Sequence, residues 1–223
     1  MTNSRIKPAA LRTGDLIGIV APASNIKLDL LEAGCRELER LGYRTTYRPD
    51  IVKTHRYFSG TVERRAAELL EMIRNPEVKA IICARGGYGS GRLIPYLEPE
   101  LFLANPKIIC GSSDITTLLC FLDRHSLVGF HGPMVATSIR LGDPGYFRDD
   151  LSRMLQGDPS IRFPLDRTSV LRRGTTEGRL TGGCLTLVLA TLGTPYEIDT
   201  RDSILVLEDQ DTKPYQVDRM LTQ

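Results

Sequence analysis

Three short apolar runs constrain the fold most: Asp15–Ala21 (DLIGIVA), Val78–Ala84 (VKAIICA) and Pro106–Cys110 (PKIIC). Successive side chains of a strand point to opposite faces, so a run without polar alternation must be covered on both sides. Helical spacing fills the gaps. Leu28–Leu41 reads as an amphipathic helix ending at Gly42, and Thr61–Arg74 as a second helix, with Thr61 as its cap and Glu63 and Arg64 in its first turn. Tyr43–Tyr47 is a more polar strand expected near a sheet edge, and Leu127–Phe130 supplies another strand after a helix over Asp114–Arg124. A short helix from about Gly91 follows a glycine-rich turn. Strands alternating with helices predict an α/β fold with a parallel sheet, whose ligands bind beyond the carboxyl ends of the strands.

The pattern changes after Gly157. Residues 1–157 read as one α/β domain, and 158–176, rich in Pro, Asp, Arg and Thr, as a linker. Residues 177–223 read as part of a smaller second domain: a strand at Gly178–Leu180, a tight Gly182–Gly183 turn, an apolar helix near Cys184–Leu192, a strand at Ile204–Leu207 and a helix from about Tyr215. That last helix stops after about two turns, which is marginal for an isolated helix, so the expectation is a domain cut short.

Composition narrows the function. Of 223 residues, 29 are Lys or Arg and 27 Asp or Glu, a net charge of +2, and the basic residues are scattered. That argues against a nucleic-acid partner, which calls for a clustered basic face. The N-terminus lacks a leader pattern, and no apolar stretch is long enough to cross a bilayer. Five cysteines without C-x-x-C spacing (Cys35, Cys83, Cys110, Cys120, Cys184) read as buried free thiols of a reducing compartment, so the expectation is a cytoplasmic protein without zinc.

Chemistry is concentrated at strand ends. At Gly111-Ser112-Ser113-Asp114 the chain must turn sharply from strand to helix, which sets a serine proud of the sheet near a helix N-terminus. The alternative is that Ser113 or Asp114 merely caps the helix. Arg85–Gly91 (RGGYGSG) follows the third strand, and its amides could hold an anion or complete an oxyanion hole, although the spacing is that of neither a P-loop nor G-x-G-x-x-G. A serine needs a base. His125 ends a helix, His55 lies in a polar loop, and His131 follows a strand, where it could lie near Ser113 or simply line the cleft. Glu208 closes the apolar strand of Leu205–Asp209 (LVLED), while Asp209, Asp211 and Asp218 lack the spacing of a calcium loop.

Together these pieces resemble the LD-carboxypeptidases, a serine peptidase family that includes the microcin C immunity hydrolases. The likeness rests on Gly14-Asp15 with Val20-Ala21-Pro22-Ala23-Ser24, on Ala84-Arg85-Gly86-Gly87-Tyr88-Gly89 and on Gly111-Ser112-Ser113-Asp114-Ile115-Thr116. It continues through His131-Gly132-Pro133-Met134, Gly182-Gly183, Leu207-Glu208-Asp209, Pro214-Tyr215 and Asp218-Arg219-Met220-Leu221, in family order over the whole chain.

The resemblance implies a flavodoxin-like N-terminal domain, a smaller β-rich C-terminal domain and a metal-free, cofactor-free Ser-Glu-His site between them, with a homodimer as the assembly. Ser113 would be the nucleophile and Glu208 the residue that orients the histidine. The amides of Gly87 and Asp114 would form the oxyanion hole, and Arg85, Gly86, Ser112 and His131 would contact substrate. In the family the histidine follows the glutamate at a distance, and the sequence ends at Gln223, so the triad histidine is expected to be missing and turnover slight. Cys184 stands where the family often has asparagine, and Thr212 or Lys213 where it often has a second acid. The implied substrate is a murein tetrapeptide losing D-alanine in cell-wall recycling. The competing readings are an amidase acting on a peptidyl-nucleotide and a non-catalytic, ligand-binding pseudoenzyme.

Overall fold

The computed structural model describes residues 5–162 and 170–223. Its centre is a five-stranded parallel sheet of β1 (Leu16–Val20), β2 (Arg44–Tyr47), β3 (Val78–Cys83), β4 (Ile108–Gly111) and β5 (Phe130–His131), in the order β2-β1-β3-β4-β5. This is the flavodoxin-like order, in which the crevice opens where the chain reverses direction between β1 and β3.

The unbroken apolar runs follow from burial on both faces. Ile17, Ile19, Ala80, Ile82, Ile108 and Cys110 face one layer, built from α1 (Leu28–Arg40), a 3-10 turn at Ile139–Leu141 and α5 (Arg148–Leu155). Val20, Ile81, Cys83 and Ile109 face the other, built from α2 (Val62–Arg74), α3 (Pro99–Ala104) and α4 (Thr116–Arg124). Leu31, Leu38, Leu69 and Ile73 are fully buried in those layers, each contributing about 1.5–3 kcal/mol of hydrophobic stabilisation. Thr61 caps α2 as its position predicts, its hydroxyl accepting from the Arg64 amide at 3.3 Å. The edge position of β2 matches its polar sequence. The short helices α3 and α5 have no counterpart in the sequence reading, since neither is long enough to display a periodic face. All five cysteines are free and buried.

A two-stranded parallel sheet of β6 (Arg179–Cys184) and β7 (Ser203–Glu208), with α6 (Leu185–Thr191) and α7 (Pro214–Thr222), makes the second unit. The tight turn expected at Gly182–Gly183 is not formed: both glycines lie inside β6, paired with Val206 and Leu207. They admit close approach instead, since a Cβ on Gly183 would press on Thr116 of α4. The unit docks on α4 through Cys120, Val188 and Ile198, and through Arg179, which donates to both Asp123 carboxylate oxygens at 2.8 Å. Residues 1–4 of the segment read for a leader, and 163–169 of the expected linker, lie outside the described residues. Among the described residues no helix is long and apolar enough to cross a membrane.

Candidate active site

The turn after β4 holds Ser113 in the left-handed region, at φ +58°. A non-glycine residue there costs about 1–2 kcal/mol and persists only where its surroundings fix it. The fixing group is Asp114, 2 % exposed, whose carboxylate accepts from the Ser90 amide at 2.7 Å while its carbonyl accepts from the Ser90 hydroxyl. No side chain caps the 3-10 turn at Ser113–Ile115 or α4 behind it, so helix capping is not what these residues do. Ser113 itself is exposed, and among the described residues nothing hydrogen-bonds its hydroxyl.

The loop after β3 is pressed against this turn. A Cβ on Gly86 would lie 3.0 Å from Ser113 Cβ, 3.1 Å from its Oγ and 3.2 Å from the Asp114 amide nitrogen, so the loop reaches the serine because residue 86 has no side chain. Gly87 sits at φ +106°, and a Cβ there would fall on the Ser24 hydroxyl. Ser24, in the loop after β1, accepts from the Tyr88 amide at 3.1 Å and donates its own amide to Gly86 O at 3.3 Å. Among the described residues the Gly87 amide meets no backbone carbonyl.

Beneath the loops lie two buried charged side chains of α2. Arg65, 1 % exposed, donates to Pro22 O at 2.5 Å and Gly89 O at 2.8 Å, bracing both loops, and stacks on Phe58. Burial pulls its guanidinium down from the ordinary arginine value, against the attraction of Asp114. Glu68, fully buried, accepts from the Ala21 amide at 2.7 Å and from the Arg64 fork at 2.7 and 3.1 Å. Burial outweighs these partners and pushes its carboxyl up to about 7. None of this was legible in sequence, because α2 displays its polar residues without showing which of them the sheet will cover.

The second unit supplies the opposite wall. Glu208 ends β7, as expected, and faces the cleft; its Oε1 is 3.6 Å from His131 Nε2, beyond hydrogen-bond reach. The adjoining Asp209 turns the other way and accepts from the amide and hydroxyl of Thr186, at 2.9 and 2.6 Å, at the start of α6. Burial alone would raise its carboxyl, but the Thr186 hydrogen bonds hold it below the usual range. The two acids of the Leu-Glu-Asp sequence therefore do different things: one fronts the cleft and the other anchors the strand.

The cleft has a volume of about 1120 Å³. Arg85, Gly86, Gly87, Ser112, Ser113, His131 and Glu208 all line it; Asp114 is buried and is not among the lining residues. Of the three histidines, His131 alone lines the cleft among the described residues, while His125 Nδ1 pairs with Phe121 O at 2.8 Å. Lys27 and Arg140 also line it, and no motif points to them. Among the described residues no group of three or more His, Cys, Asp or Glu side chains is placed to hold a metal ion.

Residues 17–132 match the LD-carboxypeptidase N-terminal domain, and residues 177–223 match the LD-carboxypeptidase C-terminal domain. A Bacillus subtilis (strain 168) protein named "Probable murein peptide carboxypeptidase" is 41% identical over 220 residues, covering 97% of this chain and 69% of that relative. The murein tetrapeptide carboxypeptidase of Pseudomonas aeruginosa is 36% identical over 218 residues, covering 93% of this chain and 70% of the relative. A solved structure of MccF in complex with glutamyl sulfamoyl guanosine superposes with a TM-score of 0.84 at 27% identity, covering 96% of this chain and 74% of that one.

Proposed function

The chain belongs to the LD-carboxypeptidase family, and from that membership we propose that it hydrolyses the amide between an L-centre and a terminal D-amino acid, with a murein tetrapeptide losing D-alanine as substrate. The observation that carries this reading is an exposed Ser113, in the left-handed conformation at a strand end, in the same cleft as Glu208.

In this reading Ser113 Oγ attacks the scissile carbonyl, and its proton passes to the family's triad imidazole, which Glu208 orients and stabilises when charged, a role given to none of His55, His125 and His131. The carbonyl oxygen becomes an oxyanion held by the Gly87 and Asp114 amides, which the surrounding loops keep fixed before substrate arrives. Collapse of that intermediate breaks the C–N bond; D-alanine leaves with the proton on its nitrogen, and water then releases the acyl group from Ser113. His131, in the His-Gly-Pro segment, is assigned with Arg85, Gly86 and Ser112 to substrate contact.

The test is release of D-alanine from the purified tetrapeptide. In a protein that carries the triad imidazole, Ser113→Ala should cut the rate by about a thousandfold or more while leaving the unfolding midpoint near that of the parent. Undiminished release by Ser113→Ala would sink the serine mechanism. A second reading, cleavage of a peptidyl-nucleotide, has one observation in its favour: Tyr57 and Tyr88, about half exposed with centroids 5.9 Å apart, stand beside the glycine loop as an aromatic surface. Preferential cleavage of an aminoacyl sulfamoyl nucleoside over the tetrapeptide would favour that reading.

A further inference from the structure

The charges of the cleft are lopsided. Lys27, Arg85 and Arg140 line it, with Glu208 the single carboxylate among the lining residues described. None of the three cations pairs with an acid among the described residues. Both arginines are tethered by one nitrogen to a backbone carbonyl: Arg85 Nη1 to Asn25 O at 3.3 Å, and Arg140 Nε to Ala136 O at 3.0 Å. Such a tether orients a guanidinium without neutralising it, and for Arg140 it leaves both terminal nitrogens free to grip an oxyanion in the bidentate manner.

The two arginines come from different segments of the cleft wall, Arg85 from the loop after β3 and Arg140 from the segment after β5. Arg85 adjoins Gly86 and Gly87 at the serine. Arg140 sits in the 3-10 turn at Ile139–Leu141, reached from His131 along a segment whose Met134, Ala136, Thr137 and Ser138 also line the cleft. That turn is firmly seated: Ile139 is fully buried, and the Arg140 amide donates to Val135 O at 3.1 Å. We propose that Arg140, with the charge of Lys27 beside the cleft, binds a second carboxylate of the substrate, so that the chain selects peptides bearing an acidic group away from their C-terminal one. The peptide part of this assignment rests on the carboxypeptidase reading; the anion position does not.

Two peptides ending in the same L-lysyl-D-alanine, one with a D-glutamate α-carboxylate further along and one with that carboxylate amidated, are titrated calorimetrically into the full chain carrying Ser113→Ala. The free acid should bind about tenfold more tightly, the effect of one charge-assisted pair, and adding Arg140→Gln should bring the ratio close to one. Equal affinities with Arg140 present, or a preference that survives Arg140→Gln, would overturn the proposal. A second readout needs no peptide: glutarate should slow phenylglyoxal modification of Arg140 in the unsubstituted chain, read by mass mapping. Protection by glutarate without binding of either peptide would leave the anion position standing and count against the carboxypeptidase reading. D-alanine release with neither protection nor preference would do the reverse.

Discussion

Ser113 holds its hydroxyl on a backbone conformation that non-glycine residues seldom adopt, and Gly86 packs against it where a side chain would crowd. The two facts belong together, because a strained residue can be kept in place only by neighbours that leave it no other arrangement. Gly86→Ala puts a methyl 3.0 Å from Ser113 Cβ, and the serine cannot yield easily while buried Asp114 is tied to Ser90. Overpacking of this size costs about 1 kcal/mol of stability, but misplacing a nucleophile by a fraction of an ångström should cost about tenfold or more in kcat. Urea unfolding and D-alanine release measured on the same variant separate the two effects, and an unchanged kcat would show that the contact is slack. The sequence set the glycine loop of Arg85–Gly91 beside the turn carrying Ser113, and the two do meet; how close they come could not be read from spacing. It depends on β3 and β4 being adjacent and in register, with Ile82 opposite Cys110.

Among the elements, α4 has the most varied duties. Its N-terminal end follows the serine turn, one face fills the main core with Leu118, Phe121 and Leu122, and the other receives the second unit. Thr116, fully buried, joins these roles: its hydroxyl accepts from the Cys184 amide at 3.0 Å, beside Gly183. Thr116→Val keeps the shape and deserts that amide, so it should destabilise the chain by about 1–3 kcal/mol. It should also loosen β6 against α4 in preference to the main sheet, which amide hydrogen exchange at 179–184 compared with 78–83 can resolve. Equal protection in both strands would mean that the docking is carried by Arg179 and the apolar contacts instead. The helix itself was plain from its apolar spacing, yet the Gly182–Gly183 pair was misread as a turn. In sequence, a glycine needed for close approach looks the same as one needed for a reversal.

At the scale of the whole molecule, Glu68 links stability to pH. Its carboxyl is raised by burial from about 4.5 to about 7, so the folded state holds a proton that the unfolded chain has released between those values. The stability tied to that proton is fully present below pH 4.5 and is lost as pH rises through 7. Relative to Glu68→Gln, the parent should therefore lose about 3 kcal/mol of unfolding free energy between pH 4.5 and pH 7.5, the order expected for such a shift. A difference that stayed flat with pH would mean that Arg64 and the Ala21 amide keep the carboxylate ionised throughout.

What the sequence determined by itself was the parallel α/β sheet, the amphipathic helices over it, and the strand ends where Arg85, Ser113, His131 and Glu208 emerge. These are local matters, settled by apolar periodicity and by where each run stops. Only the tertiary structure decided that three strand ends of the main sheet and one of the second unit meet around one cleft, that Arg65 and Glu68 are buried beneath the loops, and that Lys27 and Arg140 lie on the wall without an acidic partner among the described residues. Burial and charge pairing depend on which segments pack together, and residues far apart in the chain leave no mark on one another until the sheet has formed.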